Sequence, residues 1–139
     1  MSDKLIWKEI GPYAELPSLT ASCHIGIGIN MNSDRVSQTQ GTASNKIYEY
    51  AASGLPVILY DSGQFTKYLQ KYNWAFFTDG SLNSIRDNVA AILKDQRRLS
   101  EMARHDFEES LNFEKNFKPA LHTVLDSIKE PAYNLINFI

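Results

Sequence analysis

The fifteen residues that begin at Ser44, with the sequence SNKIYEYAASGLPVI, restrict the fold more than any other part of the chain. Ser44 is a favourable helix N-cap, and Glu49 lies about one turn further along the predicted helix. Gly54 is suited to end that helix in a left-handed conformation, and Pro56 prevents its continuation. The apolar residues 57–60 then indicate a strand buried on both faces, which is typical of parallel sheets.

The start of this predicted helix can bind an anion. The Ser44 hydroxyl can accept a hydrogen bond from the backbone N–H of Lys46 or Ile47, while the remaining N–H groups and the positive end of the helix dipole face outward. A diphosphate can rest on these amides while the Glu49 carboxylate accepts hydrogen bonds from the vicinal hydroxyls of a sugar. The alternative is a purely structural helix, because a serine cap and one glutamate are common in helices.

Composition excludes several functional classes. The 139 residues, 43% apolar and 12% aromatic, fit a single domain with a substantial core. The formal net charge of −2 creates no strong field for nucleic acid, so we expect no nucleic-acid partner. Cys23 is the only cysteine, and the chain lacks CxxC or HxxxH spacing, so we expect neither a disulfide nor a metal site. Without a spanning segment or signal peptide, we expect a cytoplasmic chain.

The order of elements along the chain predicts the α/β class with a parallel sheet. Residues 30–42 form a long polar stretch, and loops of this length in compact domains are often functional. Three amphipathic helices are expected to close the chain. The predicted strands lie at residues 5–10, 24–29, 57–60 and 74–78, and further helices at 15–23, around Glu49 and at 64–72.

Two aromatic pairs recur at helical spacing. Tyr68 and Tyr72, and likewise Phe113 and Phe117, are four residues apart, so we expect both pairs to belong to core stripes. The last helix carries the second pair, and Pro119 indicates that its regular part begins near that residue.

In the run from Ser44 and in the order of its elements, the chain resembles the donor-binding C-terminal domain of GT-B-fold, nucleotide-sugar-dependent glycosyltransferases. The resemblance is strongest to the large retaining family that contains many bacterial polysaccharide enzymes, and it extends from about Gly11 to Asp126. It implies a Rossmann-like lobe. It also implies hexosyl transfer from a UDP- or GDP-linked sugar to a glycan or lipid-linked acceptor, with retention and without a metal or other cofactor.

The resemblance also implies roles for individual residues. Glu49 matches the second glutamate of the family's Glu-x7-Glu pattern and would bind the ribose hydroxyls of the donor. Backbone amides around Ser44, Asn45 and Lys46 would receive the pyrophosphate. The Lys46 ammonium can add charge there, although this residue is equally typical of a solvated helix surface.

The chain departs from the family pattern at Gly41, where the first glutamate of that pattern is expected. That glutamate would contact the transferred sugar, so the donor sugar is not defined, and no catalytic residue is assigned. Thr42 or Gln40 can supply hydroxyl or amide contacts instead. Tyr13 matches the loop that approaches the nucleobase in relatives and can stack on the base, with a surface turn as the equal alternative.

We expect residues 1–130 to form a partial donor-binding domain that lacks its first strands, and residues 131–139 to form an apolar tail. Such a chain would be a truncated piece or one subunit of a split enzyme, inactive without an N-terminal acceptor domain or subunit. The missing strands would expose a sheet edge at residues 24–29, through which residues 5–10 could pair in the same chain or in a homo-oligomer.

Two alternatives stay open. One is a noncatalytic donor-binding subunit that works with a separate membrane-associated acceptor subunit, which would place the full-length protein at the inner face of the membrane. The other is a plain α/β interaction module in which the helix carrying Glu49 is structural.

Overall fold

The computed structural model describes residues 11–30 and 45–129. The first range begins with a 3₁₀ turn, Tyr13–Glu15, and the second contains a π-helix, Phe107–Leu111. The predicted strand at residues 5–10, most of the polar loop and the tail at 131–139 lie outside these ranges. The helices are α1 (Leu16–Ala21), α2 (Asn45–Ala52), α3 (Gln64–Leu69), α4 (Leu82–Lys94), α5 (Gln96–Asp106) and α6 (Phe113–Lys129), and the strands are β1 (Gly26–Gly28), β2 (Val57–Tyr60) and β3 (Ala75–Thr78).

The three described strands form a parallel sheet in the order β1-β2-β3. Val57 pairs with Gly26 on one side and with Ala75 on the other. β2 is the central strand, and its Val57, Ile58 and Leu59 are fully buried. The predicted α/β class and parallel sheet are therefore confirmed, and β1 and β3 are the two edge strands of the described sheet.

Both faces of β2 are covered by helices, as the two-residue period of a strand requires. Val57 and Leu59 point to one core cluster, which contains Ile47 and Ala51 of α2 together with Trp74 and other apolar residues. Ile58 points to the opposite cluster, which contains Ile92 of α4 and Leu99 of α5. This layering fixes which face of α2 is buried.

The turn from α2 into β2 has the predicted left-handed residue. Gly54 has φ +71°, and the N–H of Leu55 donates to the Tyr50 carbonyl at 2.8 Å. The Ser100 hydroxyl of α5 donates to the Gly54 carbonyl at 2.6 Å, and the Arg104 guanidinium donates to the Ala52 carbonyl. The C-terminal end of α2 is thus held by hydrogen bonds from α5.

The last helix starts earlier than predicted. α6 begins at Phe113, because the Asn112 side chain accepts a hydrogen bond from the Lys115 N–H at 2.8 Å and so caps the first turn. Pro119 lies inside the helix, where its missing N–H removes only the bond to the Lys115 carbonyl. The helix continues through this position, so the prediction that its regular part begins near Pro119 is wrong.

The prediction that both aromatic pairs lie in the core is also wrong for three of the four residues. Phe113 is 73% exposed, Phe117 46% and Tyr68 50%, and only Tyr72 is buried. Phe113 and Phe117 stack on each other with centroids 5.0 Å apart. Helical spacing identifies an apolar face but not what covers it, and α6 packs mainly on the preceding π-helix.

None of the helices in residues 11–30 and 45–129 has the length and hydropathy needed to cross a bilayer.

Gly26 lies directly against the Tyr50 ring. A Cβ atom at this position would lie 2.4 Å from Cδ2 of Tyr50, which is too close for two carbon atoms. We expect Gly26→Ala to lower the free energy of unfolding by about 1–3 kcal/mol, measured by urea denaturation. Gly28→Ala is the matched control, because its Cβ would meet only the terminal methyl of Leu59 at 2.8 Å, which can move. Equal losses for the two variants would contradict this assignment.

Candidate functional site

The outer face of α2 is the floor of a groove. Helical periodicity turns Ile47 and Ala51 inward to the core, and it turns Tyr48 and Glu49 to the opposite side. α1 lies on one side of this floor, and the π-helix with the start of α6 lies on the other. Two cavities lie over the floor, one against each wall.

The first cavity, named here the Tyr13 cavity, is bounded by the 3₁₀ turn and α1. Its volume is about 180 Å³. It is mostly apolar, and its charged lining group is Glu49. The lining residues are Tyr13, Leu16, Pro17, Thr20, Glu49, Ala52 and Ser53.

The second cavity, named here the Phe113 cavity, has a volume of about 410 Å³. Aromatic rings form most of its wall, and Glu49 is again the acidic lining residue. The lining residues are Asn45, Tyr48, Glu49, Ala52, Phe107 and Phe113. The two cavities therefore meet at Glu49 and Ala52 on the outer face of α2.

Glu49 is the polar centre of the groove. It is half-buried, and its carboxylate makes no hydrogen bond or ion pair with any other residue that the structure describes. Burial raises the pKa of the neighbouring Tyr50 hydroxyl, and electrostatic interaction with Cys23 and Glu49 raises it further. Both carboxylate oxygens of Glu49 can therefore accept hydrogen bonds from a ligand in either cavity.

The aromatic wall is positioned by hydrogen bonds from the core. The indole N–H of Trp74, which is fully buried, donates to the Asp106 carboxylate at 2.9 Å. The hydroxyls of Tyr72 and Ser110 lie 3.3 Å apart and share a second hydrogen bond. Phe107 lies between these two attachment points and packs on the core. π-Helical turns occur frequently at functional sites, and here the turn holds one wall of the groove.

The structure brings together part of the predicted site. Glu49 and Asn45 lie on the floor, and Tyr13 lies at the α1 wall, where its side chain is 79% exposed. Lys46 is exposed in the first turn of α2 and lines neither cavity. Ser44 and Thr42 lie outside the described residues, as do Gly41 and Gln40, so the predicted pyrophosphate contacts stay predictions.

The aromatic wall was not predicted. Asn45, Tyr48, Glu49 and Ala52 follow the i, i+3, i+4, i+7 spacing of one helix face. The sequence alone therefore indicates that Tyr48 lies on the same face as Glu49. Phe107 and Phe113 come from a distant part of the chain. No local spacing connects them to α2, and the contact between Trp74 and Asp106 that positions Phe107 is visible only in three dimensions.

A sequence model of one protein family, described as glycosyl transferase-like, matches residues 4–116 of the chain. No curated protein and no solved structure gives a significant match. The matched range includes every lining residue of both cavities, from Tyr13 to Phe113. Across residues 11–30 and 45–129, no group of three or more His, Cys, Asp or Glu side chains gathers into a metal site.

The hydrogen bond from Trp74 to Asp106 can be tested directly. Asp106→Ala leaves a buried indole N–H without an acceptor, so we expect the free energy of unfolding to fall by about 1–3 kcal/mol. The amide signals of Phe107 and Phe113 should shift as the wall loosens. Asp106→Asn keeps one acceptor oxygen, so its free energy of unfolding should fall by less. A loss no larger than that of Glu101→Ala, on the exposed side of α5, would show that this hydrogen bond does not hold the wall.

Proposed function

The chain belongs to the glycosyl transferase-like family, and from this premise we propose that it is the donor-binding part of a glycosyltransferase. The enzyme would move a hexosyl group from a nucleoside diphosphate sugar to a glycan or lipid-linked acceptor. One observation carries the proposal. The Glu49 carboxylate has no partner among the described residues and lies where two cavities meet on the outer face of α2.

The nucleoside binds at the α1 wall. The Tyr13 cavity supports this assignment because it is mostly apolar and has an exposed aromatic ring at its rim, on which a planar base can stack. Glu49 closes the same cavity, so the two ribose hydroxyls can donate to its oxygens. A base on Tyr13 and a ribose on Glu49 would leave the diphosphate directed along α2.

The diphosphate binds at the N-terminal end of α2. α2 has eight residues, and its first turn presents backbone N–H groups and the positive end of the helix dipole. Lys46 is exposed in that turn and can add its charge. Residues 42–44 precede the turn in sequence and would complete the phosphate site.

The chemistry proposed for this site is mainly electrostatic. The bond between the anomeric carbon and the diphosphate oxygen breaks, so positive charge develops on the sugar ring and negative charge on the leaving group. Preorganised N–H donors at the start of α2 and the Lys46 ammonium would stabilise the leaving diphosphate. Glu49 would position the donor through its ribose and would not act as a general base.

The proposed reaction needs a partner that binds the acceptor, and the chain alone would be inactive. Exposure at the sheet edge supports a docking role there, because β1 pairs only with β2 among the described strands and Ile27 is 55% exposed. A further strand from the acceptor-binding part, or from a second copy, fits this edge. With a lipid-linked acceptor, the assembled enzyme would work at the inner face of the membrane.

The role of Glu49 can be measured by titrating the chain with UDP or GDP and following amide shifts. Glu49→Ala removes hydrogen bonds to a charged acceptor, so we expect nucleoside diphosphate binding to weaken by about tenfold or more. Inorganic pyrophosphate lacks a ribose, and its affinity should not change. Glu101→Ala, at an exposed carboxylate of α5, is the control and should bind like the unaltered chain. If millimolar UDP and GDP shift no signal around Glu49, the interaction-module alternative replaces the proposal.

The role of Tyr13 is separable from that of Glu49. Tyr13→Ala removes the stacking ring, so we expect UMP binding to weaken by about five- to hundredfold while ribose 5-phosphate binding is unaffected. Tyr13→Phe keeps the ring and should keep the affinity. Glu49→Ala should weaken both ligands. Equal effects of Tyr13→Ala on UMP and on ribose 5-phosphate would place the base elsewhere.

A further inference from the structure

The Phe113 cavity has a lining that does not suit a phosphate. Tyr48, Phe107 and Phe113 supply three aromatic side chains, Asn45 an amide and Glu49 a carboxylate. Among the residues that the structure describes, no lysine, arginine or histidine lines this cavity. A diphosphate in the cavity would lie against a carboxylate in an apolar surrounding, which is unfavourable. The lining therefore favours a neutral or cationic ligand over an anion.

Charged residues of both signs flank the aromatic wall. Glu108 and Glu109 lie in the π-helix beside Phe107, and Glu114 follows Phe113 directly. Arg104 pairs with Glu108 at 2.6 Å, and Lys115 pairs with Glu109 at 2.9 Å. Lys46 in the first turn of α2 and Lys118 in α6 carry further positive charge nearby. In the cavity lining itself the charged group is Glu49, and its carboxylate favours a positively charged ligand.

The aromatic lining of the Phe113 cavity indicates which kind of cation can bind there. A compact, strongly hydrated ion gains little in an apolar cavity, because desolvation outweighs its attraction to the rings. An alkylated ammonium group spreads its charge over methyl groups and binds well to aromatic rings with an acidic residue nearby. Phe113 stacks one ring face on Phe117 and is still 73% exposed, so it remains open to contact with a ligand.

We propose that the Phe113 cavity binds an organic cation, namely a quaternary or alkylated ammonium group on an apolar body. Glu49 is the counter-ion, and Tyr48, Phe107 and Phe113 form the walls. Glu49 lines this cavity as well as the Tyr13 cavity, and the cation site requires no nucleotide. The inference therefore goes beyond donor binding.

The test compares two ligands of nearly equal shape. Choline carries the quaternary ammonium group, and 3,3-dimethylbutan-1-ol has a neutral carbon in the place of the nitrogen. We expect choline to shift the amide signals of Tyr48, Glu49, Phe107 and Phe113 with a dissociation constant on the order of millimolar. The neutral alcohol should bind at least about fivefold more weakly. Sodium chloride at matched concentration controls for ionic strength.

Two variants separate the ring from the apolar surface. Phe113→Leu keeps an apolar side chain but removes the π-face, so choline binding should weaken by about two- to fivefold. Phe113→Trp keeps an aromatic face and should bind choline at least as well as the unaltered chain. Leu125→Ala, at an exposed apolar residue of α6 outside the cavity, is the control and should have no effect. Glu49→Gln should also weaken choline binding.

Three results would overturn the inference. They are equal binding of choline and the neutral alcohol, unchanged choline binding in Phe113→Leu, and no choline shifts up to about 100 millimolar, well above the expected constant. The proposed function is tested by separate measurements. UDP binding and the Tyr13→Ala variant test donor binding, whereas choline binding and the Phe113→Leu variant test the cation site. UDP shifts without choline shifts would leave donor binding intact and remove the cation site.

Discussion

The groove depends on how α2 is clamped against β2. Ile47 and Ala51 are buried on the Val57 and Leu59 face of the strand, and the Gly54 turn allows the chain to enter β2 directly. α5 adds hydrogen bonds from Ser100 and Arg104 to the last carbonyls of this segment. A helix that slipped by one residue would rotate Glu49 by about 100° and remove it from both cavities. Rotation of this one helix therefore sets the geometry of the whole site.

Sequence signals predicted the parts of the site that depend on neighbours along the chain. Gly54 and Pro56 define a turn by their own backbone chemistry, and three consecutive buried residues from Val57 indicate a central strand, so both predictions were confirmed. The wall at Phe107 and Phe113 could not be predicted in this way. Its position depends on a hydrogen bond from Trp74 to a residue 32 positions later, and such a pairing has no local pattern.

The errors at α6 have the same physical origin. Pro119 alone indicates a later start, but the asparagine cap at Asn112 and the hydrogen bond from Asn116 to Ser110 hold the first turn before the proline is reached. Phe113 and Phe117 have core spacing, but among the described elements α6 packs mainly on the π-helix, and both rings stay exposed. Apolar residues at helical spacing predict a buried helix face only where another element of the same domain packs on that face. Here the exposed stripe instead leaves Phe113 open at the rim of a cavity.

The two proposed ligands have opposite charges, and both would contact the Glu49 carboxylate. The first turn of α2, with Lys46, favours the diphosphate, whereas Glu49, the charged residue in the lining of the Phe113 cavity, favours a cation there. If both ligands bind, thermodynamic linkage requires each to change the affinity of the other by the same factor. Competition for the Glu49 oxygens would make that coupling unfavourable, and attraction between ammonium and diphosphate would make it favourable. Salt screens the Coulombic attraction between the two ligands but does not change competition for a shared acceptor. The salt dependence of the coupling free energy would therefore distinguish attraction from competition.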